Sequence, residues 1–179
     1  MVNNTYLESH HGVLMRISGF GVLILGSAGI GKSSLALELI SQGHQLIADD
    51  VVELSQQSNS IVGHCPPLLA GLLHTRELGL ISVPHVFGED AWQAQQKIDV
   101  VISLHSSINE DVTLATKNKT YTLLGLDFPY LTLSIYNPAS LANRIQCWLI
   151  MQSEQFQTEH ELKQRQHILM SDIKHRELS

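Results

Sequence analysis

Short apolar runs alternate with glycine-rich or polar breaks along the first part of the chain, a pattern typical of an α/β protein. Residues 32–42 carry apolar side chains at helical spacing, and Gly43 follows them as a helix stop. Apolar runs of strand length lie on both sides of this predicted helix. The predicted strands of this part are residues 11–18, 21–27 and 44–49.

The middle of the chain continues this mixture of elements. Residues 51–63 predict a hairpin whose turn lies at Ser55–Ser60. Pro66–Pro67 opens a short apolar segment, which we predict to be a helix that reaches about His74. Two apolar runs that follow have the length and composition of strands. They are residues 78–83 and 98–105.

The last part of the chain combines one more hairpin with a helical end. Residues 120–136 alternate between apolar and polar side chains and predict a turn at Asp127–Pro129. From Ser140 onward the apolar residues recur at helical spacing. We therefore predict an α/β fold with a P-loop-containing mixed sheet and flanking helices. It forms a single domain over residues 1–179, with a C-terminal helical appendage from about residue 140.

Composition restricts the classes of protein to which this chain can belong, but it does not indicate a chemical activity. Hydrophobic residues make up 44% of the chain and charged residues 16%, and the net charge is −6. Lys and Arg do not cluster, so we expect no nucleic-acid partner. No apolar stretch reaches the roughly 18 residues of a membrane-spanning helix, and the first residues do not resemble a signal peptide. Cys65 and Cys147 form no CxxC pair, so we expect a cytoplasmic protein without membrane contact or a disulfide framework.

The segment "GSAGIGKSS", residues 26–34, has the G-x-x-x-x-G-K-S spacing of a phosphate-binding loop. Its glycines allow successive N–H groups to point into one concavity, and the following helix adds its positive N-terminal dipole. Lys32 would reach the β- and γ-phosphates, and the Ser33 hydroxyl would ligate Mg²⁺. A glycine-rich turn that binds nothing is the alternative, but the order strand, loop, helix favours the phosphate site. The candidate nucleotide-binding residues are Gly26, Ser27, Ala28, Gly29, Ile30, Gly31, Lys32, Ser33 and Ser34.

Two carboxylates, Asp49 and Asp50, end the apolar strand at "LIADD". If this strand lies beside the P-loop strand in a parallel sheet, its carboxyl end comes close to the phosphates. One carboxylate could then serve a metal ion and the other could accept a hydroxyl proton. A solvated strand end or a helix cap is the alternative, and the P-loop upstream favours a functional pair.

Together these motifs resemble the catalytic domain of HPr kinase/phosphorylase. That bacterial enzyme phosphorylates a serine of the phosphocarrier HPr and can reverse the reaction with inorganic phosphate. The resemblance begins at His11-Gly12 and continues through "GVLILGSAGIGKSSLALELISQGHQLIADDVVEL". It extends over "HCPPLLAGLLHTRELGLISVPHVFG" and "KIDVVISL" and weakens from about residue 106. It implies a short form that lacks the family's N-terminal domain.

The resemblance also implies cofactors, partners and residue roles. ATP and Mg²⁺ would be the cofactors, an HPr-type phosphocarrier the partner, and a homo-oligomer, a hexamer in this family, the assembly. His11 would be a catalytic residue beside the phosphates, although from the residues alone it could be a surface histidine. Lys32 and Ser33 would bind phosphate and Mg²⁺. Asp50 would be the proton acceptor, and Asp49 its acidic neighbour and a further candidate metal ligand.

Several positions depart from the family's pattern. His74 replaces a metal-binding glutamate, Gln93 replaces a catalytic arginine, and "YNPAS" at 136–140 replaces the turn tied to the phosphorylase reaction. Groups that balance transition-state charge are worth orders of magnitude in rate. Glu77 could act as a shifted metal ligand, and His74 could touch a metal or phosphate or be structural.

Two interpretations of the function therefore stay open. The first is an ATP- and Mg²⁺-dependent protein serine kinase with doubtful phosphorylase activity. The second is a catalytically impaired nucleotide-binding regulatory protein. A small-molecule P-loop kinase has less support, because the sequence shows no nucleobase-binding or lid motif.

Overall fold

The computed structural model describes residues 8–107, 119–153 and 164–168 of the chain. Residues up to Gln146 form one compact unit and those from Cys147 a second. The helices are α1 (Lys32–Ser41), α2 (Val83–Phe87) and α3 (Leu141–Ser153), with 3-10 turns at Pro67–Leu69 and Glu89–Ala91, and residues 164–168 are also helical. The strands are β1 (Glu8–His11), β2 (Val13–Ile17), β3 (Phe20–Gly26), β4 (Gln45–Ala48), β5 (Val51–Gln57), β6 (Ser60–His64), β7 (Leu72–Thr75), β8 (Gly79–Ser82), β9 (Gln95–Lys97), β10 (Val100–His105), β11 (Thr120–Leu123) and β12 (Leu126–Ser134).

The largest sheet carries the P-loop strand near its middle. Its order is β11-β12-β10-β3-β2-β4. β10 pairs in parallel with both β3 and β12, whereas β2 is antiparallel to both β3 and β4. The expectation that the Asp49–Asp50 strand lies beside the P-loop strand is therefore wrong, because β2 lies between them. Since β4 and β3 still run in the same direction, their carboxyl ends share one edge of the sheet, where ligands bind in α/β folds.

A four-stranded antiparallel sheet, β1-β5-β6-β9, packs on one face of the large sheet. Side chains from both sheets form one buried apolar cluster. On β2 and β3, residues that alternate with cluster members, such as Met15 and Ile24, are also fully buried, so the other face is covered too. α1 contacts β2, β3 and β4. The cluster consists of Leu14, Leu23, Ile47, Ala48, Val52, Leu54, Ile61, Cys65, Ile98, Val101, Leu123 and Phe128.

Helix α1 ends as the sequence predicts. Gly43 has a φ of 89°, in the left-handed region where glycine is favoured. Its N–H donates to the Ile40 carbonyl at 2.9 Å, and the His44 N–H donates to the Leu39 carbonyl at 3.1 Å. These two bonds form a Schellman motif, which satisfies the last carbonyls of the helix. The predicted stop at Gly43 is confirmed.

The helix predicted from Pro66 to about His74 is wrong. Only Pro67–Leu69 form a single 3-10 turn, and the next residues form β7, which pairs antiparallel with β8. The apolar residues of this segment fit a helix as well as a strand. Hydrogen bonds to a partner strand that follows later in the chain decide the outcome.

The two predicted hairpins are present, but their turns differ from the prediction. β5 and β6 extend into the segment Ser55–Ser60, so their turn is only two residues long. The turn predicted at Asp127–Pro129 lies instead at Leu124–Gly125, where both φ angles are positive. Gly125 accepts such a conformation without steric cost. The mixed α/β fold is confirmed, but with several sheets and few helices within the described ranges.

Two further findings concern membrane-spanning helices and cysteines among the described residues. None of its described helices is long and apolar enough to cross a membrane. Both cysteines are free thiols, Cys65 buried and Cys147 exposed. Burial raises the pKa of Cys65 to about 11.

Candidate active site

The loop between β3 and α1 holds its lysine against its own backbone. Lys32 Nζ donates to the carbonyls of Gly26, at 2.9 Å, and Ser27, at 3.1 Å. Gly26, Gly29 and Gly31 all have positive φ angles, which this loop path requires. Only 6% of Lys32 is exposed. Burial lowers its pKa, while the charges of Asp50 and Asp49 act in the opposite direction. The ammonium group is therefore fixed in place at the start of α1.

A hydroxyl and a carboxylate meet beside this lysine. Ser33 Oγ donates to Asp49 Oδ1 at 2.9 Å, and the His74 backbone N–H donates to Asp49 Oδ2 at 2.9 Å. Asp49 is 5% exposed. Burial raises its pKa, and the hydrogen bonds from His74 and Ser33 partly oppose that shift. Oxygen donors of this kind are the ligands that Mg²⁺ prefers, so the pair fits a magnesium site.

His11 connects the lysine to Asp50. Its Nδ1 lies 3.0 Å from the Asp50 carbonyl oxygen, which can only accept, so Nδ1 carries the proton. Nε2 is then the acceptor of the neutral ring, and it lies 3.3 Å from Lys32 Nζ. The Gly12 N–H donates to the same Asp50 carbonyl at 3.1 Å. This network orders the imidazole between the lysine and the Asp50 main chain.

Asp50 itself has an unusual backbone. Its φ is 67°, in the left-handed region, where aspartate and asparagine are tolerated better than most residues. The side chain is 59% exposed, and Oδ1 lies 3.9 Å from His11 Nδ1. The main chain of Asp50 is thus held by two hydrogen bonds while its carboxylate faces solvent. A carboxylate so placed can accept a proton from a bound molecule.

These groups open onto one cleft of about 740 Å³. Four predicted site residues do not line it: Gly26 and Ser27 hold the lysine, Ile30 donates its N–H to the Ser27 carbonyl, and Asp49 lies behind Ser33. The other predicted site residues line the cleft. They are His11, Ala28, Gly29, Gly31, Lys32, Ser33, Ser34 and Asp50.

One wall of the cleft contains His74 and Glu77, which the sequence suggested only as alternative metal or phosphate contacts, together with residues that it did not suggest. The lining is completed by Leu37 on α1, by His74 and Thr75 at the end of β7, and by the turn 76–78. Leu37 could have been found from helical spacing, because it follows Ser33 by one turn. Arg76 lies in the segment "HCPPLLAGLLHTRELGLISVPHVFG", over which the chain resembles the family. Its position beside Gly29 of the P-loop depends on the β7-β8 hairpin, which the apolar pattern did not predict.

Two of the three positions that depart from the family's pattern lie away from the cleft. The Gln93 side chain donates to Gln96 Oε1 at 2.7 Å, and its N–H donates to the Leu46 carbonyl at 3.0 Å. In the turn 136–140, Asn137 Oδ1 accepts from the Ala139 N–H at 2.9 Å. Neither segment contributes to the described cleft lining, whereas His74 does.

Comparison with known proteins now adds the family. The family model of the HPr serine kinase C-terminal domain matches residues 4–172. The chain belongs to this family. It is 41% identical over 135 residues to the HPr kinase/phosphorylase of Bordetella pertussis, covering 74% of this chain and 44% of that protein. With the Burkholderia cenocepacia protein of the same name it shares 36% identity over 167 residues, covering 90% of this chain and 52% of the relative.

A solved structure supports the same assignment of fold. The HPr(Ser) kinase/phosphatase from Coxiella burnetii superimposes with a TM-score of 0.74 at 31% sequence identity, covering 93% of this chain and 98% of that one. This HPr kinase domain spans about half the length of the curated relatives it matches. The resemblance inferred from the P-loop, the paired aspartates and the leading histidine is confirmed at the level of the family.

Proposed function

We propose that this chain is an ATP- and Mg²⁺-dependent protein serine kinase that phosphorylates a serine of an HPr-type phosphocarrier. The observation that carries the proposal is the convergence of Lys32, the Ser33–Asp49 pair and the Asp50 carboxylate at one cleft. Family membership supports the acceptor, because the similar curated proteins are named HPr kinase/phosphorylases. A homo-oligomeric assembly stays a prediction.

Nucleotide binding would use the loop and its lysine. Backbone N–H groups of residues 27–33 would surround the phosphate oxygens, and Lys32 would reach the β- and γ-phosphates. Ser33 and Asp49 would hold Mg²⁺, which neutralises part of the charge on the phosphates when bound. A magnesium ion bound with phosphates and water needs only one or two protein ligands. This fits the described residues, among which no three His, Cys, Asp or Glu side chains are grouped for metal binding.

Asp50 would act as the general base. It accepts the proton of the serine hydroxyl while the serine oxygen bonds to the γ-phosphorus, and the bond from that phosphorus to the bridging oxygen of ADP breaks. His11 is a positioning residue in this scheme. Its Nδ1–H holds the Asp50 main chain, and its Nε2 accepts from Lys32. The lysine and the base are thereby kept in one arrangement.

The proposal is tested by transfer of labelled γ-phosphate from ATP to purified HPr. We expect label on HPr in the presence of Mg²⁺, none in the presence of a chelator, and none on an HPr whose acceptor serine is replaced by alanine. Labelling of this alanine variant of HPr at the same rate as unmodified HPr would contradict the proposed chemistry.

A second candidate function is nucleotide binding without transfer, as in a regulatory protein. The observation that favours it is the position of Gln93, whose side chain is bonded to Gln96 and supplies no cation to the cleft. In that case the chain would bind ATP tightly and leave HPr unlabelled in the assay above.

We predict that the reverse reaction with inorganic phosphate is weak. Residues 136–140 contain no Lys or Arg. Arg144, which follows them, donates from Nη2 to the Ser134 carbonyl at 3.0 Å, and burial lowers its pKa. A second phosphate beside phosphoserine would meet repulsion without a compensating charge from this turn. Serine-phosphorylated HPr with inorganic phosphate should therefore release little pyrophosphate, and release at the rate of the forward reaction would contradict this.

Magnesium binding at Ser33–Asp49 should depend on pH. Because burial raises the Asp49 pKa, protons should compete with Mg²⁺ at a higher pH than at an exposed aspartate. In the metal-free protein, the protonated form of Asp49 stabilises the fold, and this contribution is fully present below the pKa that Asp49 has in the unfolded chain. The contribution is lost as pH rises through the higher pKa that Asp49 has in the folded protein.

The measurement is the Mg²⁺ dependence of nucleotide affinity between about pH 5 and 8. In the wild type the benefit of Mg²⁺ should decrease as pH falls, and in Asp49→Asn it should be small at every pH. Asp127→Asn changes an exposed aspartate bonded to Thr122 on the β11-β12 hairpin, so it serves as the control and should behave as wild type. An unchanged magnesium effect in Asp49→Asn would exclude Asp49 as a ligand.

A further inference from the structure

The cleft extends along α1 beyond the groups that would hold phosphate. Lys32 and Ser33 lie in the first turn of the helix, and Ser34 and Leu37 also line the cleft. Four residues of an α-helix rise about 6 Å, so Leu37 lies roughly that far along the axis from Ser33. Since residues three and four apart share one helix face, Leu37 lies on the same side as Ser33 and Ser34. The α1 wall of the cleft thus changes from polar to apolar with distance from the phosphate loop.

Leu37 does not belong to the core side of α1. The apolar residues that this helix buries are Leu35, Ala36, Leu39 and Ile40, whereas Leu37 is only half-buried. Its remaining surface opens into the cleft. Covering such apolar surface is favourable for a ligand that has an apolar face of its own.

Few groups in the described cleft lining can read a base through hydrogen bonds. The lining contains no Asn or Gln, and its aromatic rings are the imidazoles of His11 and His74. The His74 main chain lies at the phosphate end, since its N–H donates to Asp49 Oδ2 at 2.9 Å. Thr75 is 5% exposed, and its Oγ1 accepts the Leu78 N–H at 3.2 Å. The lining is therefore poor in side chains that distinguish one base from another.

We propose that the nucleoside part of the triphosphate packs against Leu37, and that the cleft holds it by apolar contact without selecting the base. With the phosphates at Lys32 and Ser33, the ribose and base would extend past Ser34 along α1. This inference rests on the proposed function, because it names the class of phosphoryl donor for the same site, a nucleoside triphosphate of any base. Apolar contact discriminates weakly between ligands of similar shape, whereas a site built on hydrogen bonds discriminates strongly.

The test is calorimetric titration of Leu37→Ala with MgATP, MgGTP and magnesium tripolyphosphate, which has no nucleoside. In wild type we expect the affinities for MgATP and MgGTP to agree within about threefold. Leu37→Ala should weaken the binding of both nucleotides by about three- to tenfold and leave that of tripolyphosphate unchanged. Leu37→Met keeps an apolar side chain of similar volume and should retain most of the affinity.

The control is Leu68→Ala, which truncates a leucine that is 88% exposed and lies outside the described cleft lining. This variant should match wild type with all three ligands. Thermal unfolding of each variant checks that the fold is intact, and Leu37→Met gives a second measurement if Leu37→Ala is unstable.

Three results would overturn the inference. Unchanged affinity of Leu37→Ala for both nucleotides would exclude Leu37 as a contact, and equal weakening of tripolyphosphate would show that it acts on the phosphate site instead. A wild-type preference above about tenfold for one base, lost in Glu77→Gln, would show that the Glu77 carboxylate reads the base.

Failure of the proposed function gives a different result. If wild type binds the nucleotides but leaves HPr unlabelled, the kinase proposal fails, while the expected effects of Leu37→Ala on affinity would still support the nucleoside contact. If wild type binds tripolyphosphate and no nucleotide, both proposals are wrong.

Discussion

The Asp50→Asn variant is expected to transfer phosphate to HPr about 10²–10⁴-fold more slowly than wild type, with nucleotide affinity close to normal. Asparagine keeps the shape of the side chain but cannot take the serine proton. It also accepts the left-handed backbone that Asp50 adopts at a φ of 67°. The contacts of His11 and Gly12 to residue 50 involve its carbonyl, so they survive the substitution.

The control for this prediction is Asp90→Asn, which removes the same charge from an exposed aspartate outside the described cleft lining. Removing the negative charge of Asp50, which lies near the triphosphate, should tighten ATP binding slightly. Removing the charge of Asp90 should leave ATP binding unchanged. The measurement is labelled-phosphate transfer with nucleotide affinity determined in parallel. Equal transfer by wild type and Asp50→Asn would show that Asp50 is not the base.

The Lys32→Ala variant is expected to lose roughly 2 kcal/mol or more of nucleotide-binding free energy, because a charge-assisted contact to phosphate is removed from a partly dry site. Lys32 is already fixed by the Gly26 and Ser27 carbonyls, so little entropy is lost when it meets phosphate. Calorimetric titration with MgATP measures the change. Unchanged affinity would contradict the assignment of the loop as a phosphate site.

Lys97→Ala is the matched control for this substitution. Lys97 is an exposed lysine paired with Asp99 at 3.1 Å, and it does not line the cleft. Its loss should leave MgATP affinity unchanged. Since Lys32 is buried, thermal unfolding of Lys32→Ala should be compared with that of Lys32→Met, which retains most of the apolar stem. Both variants should lose affinity to a similar extent if the charge is what binds phosphate.

The parts of the site that the sequence predicted are those that local chemistry determines. The glycine spacing requires a loop between strand and helix, and Gly43 ends that helix through hydrogen bonds to Leu39 and Ile40. Asp49 and Asp50 follow an apolar run and so mark a strand end. Each of these features depends on residues within a few positions along the chain.

The parts that the sequence did not predict depend on pairing between distant segments. β2 lies between β3 and β4, which nothing in the apolar pattern of residues 44–49 indicates. The segment after Pro66 becomes a strand because β8 pairs with it, and that pairing brings Arg76 to Gly29. The hydrogen bond from His11 to the Asp50 carbonyl likewise needs β1 to pair with β5, which was not foreseen.

The most direct test of the central claim is a single turnover followed by phosphorus NMR, with protein in excess over ATP and HPr present. We expect the γ-phosphate resonance of ATP to disappear while ADP and a serine phosphomonoester on HPr are formed together. Bound ATP that stays intact under these conditions, or that yields only inorganic phosphate, would contradict it.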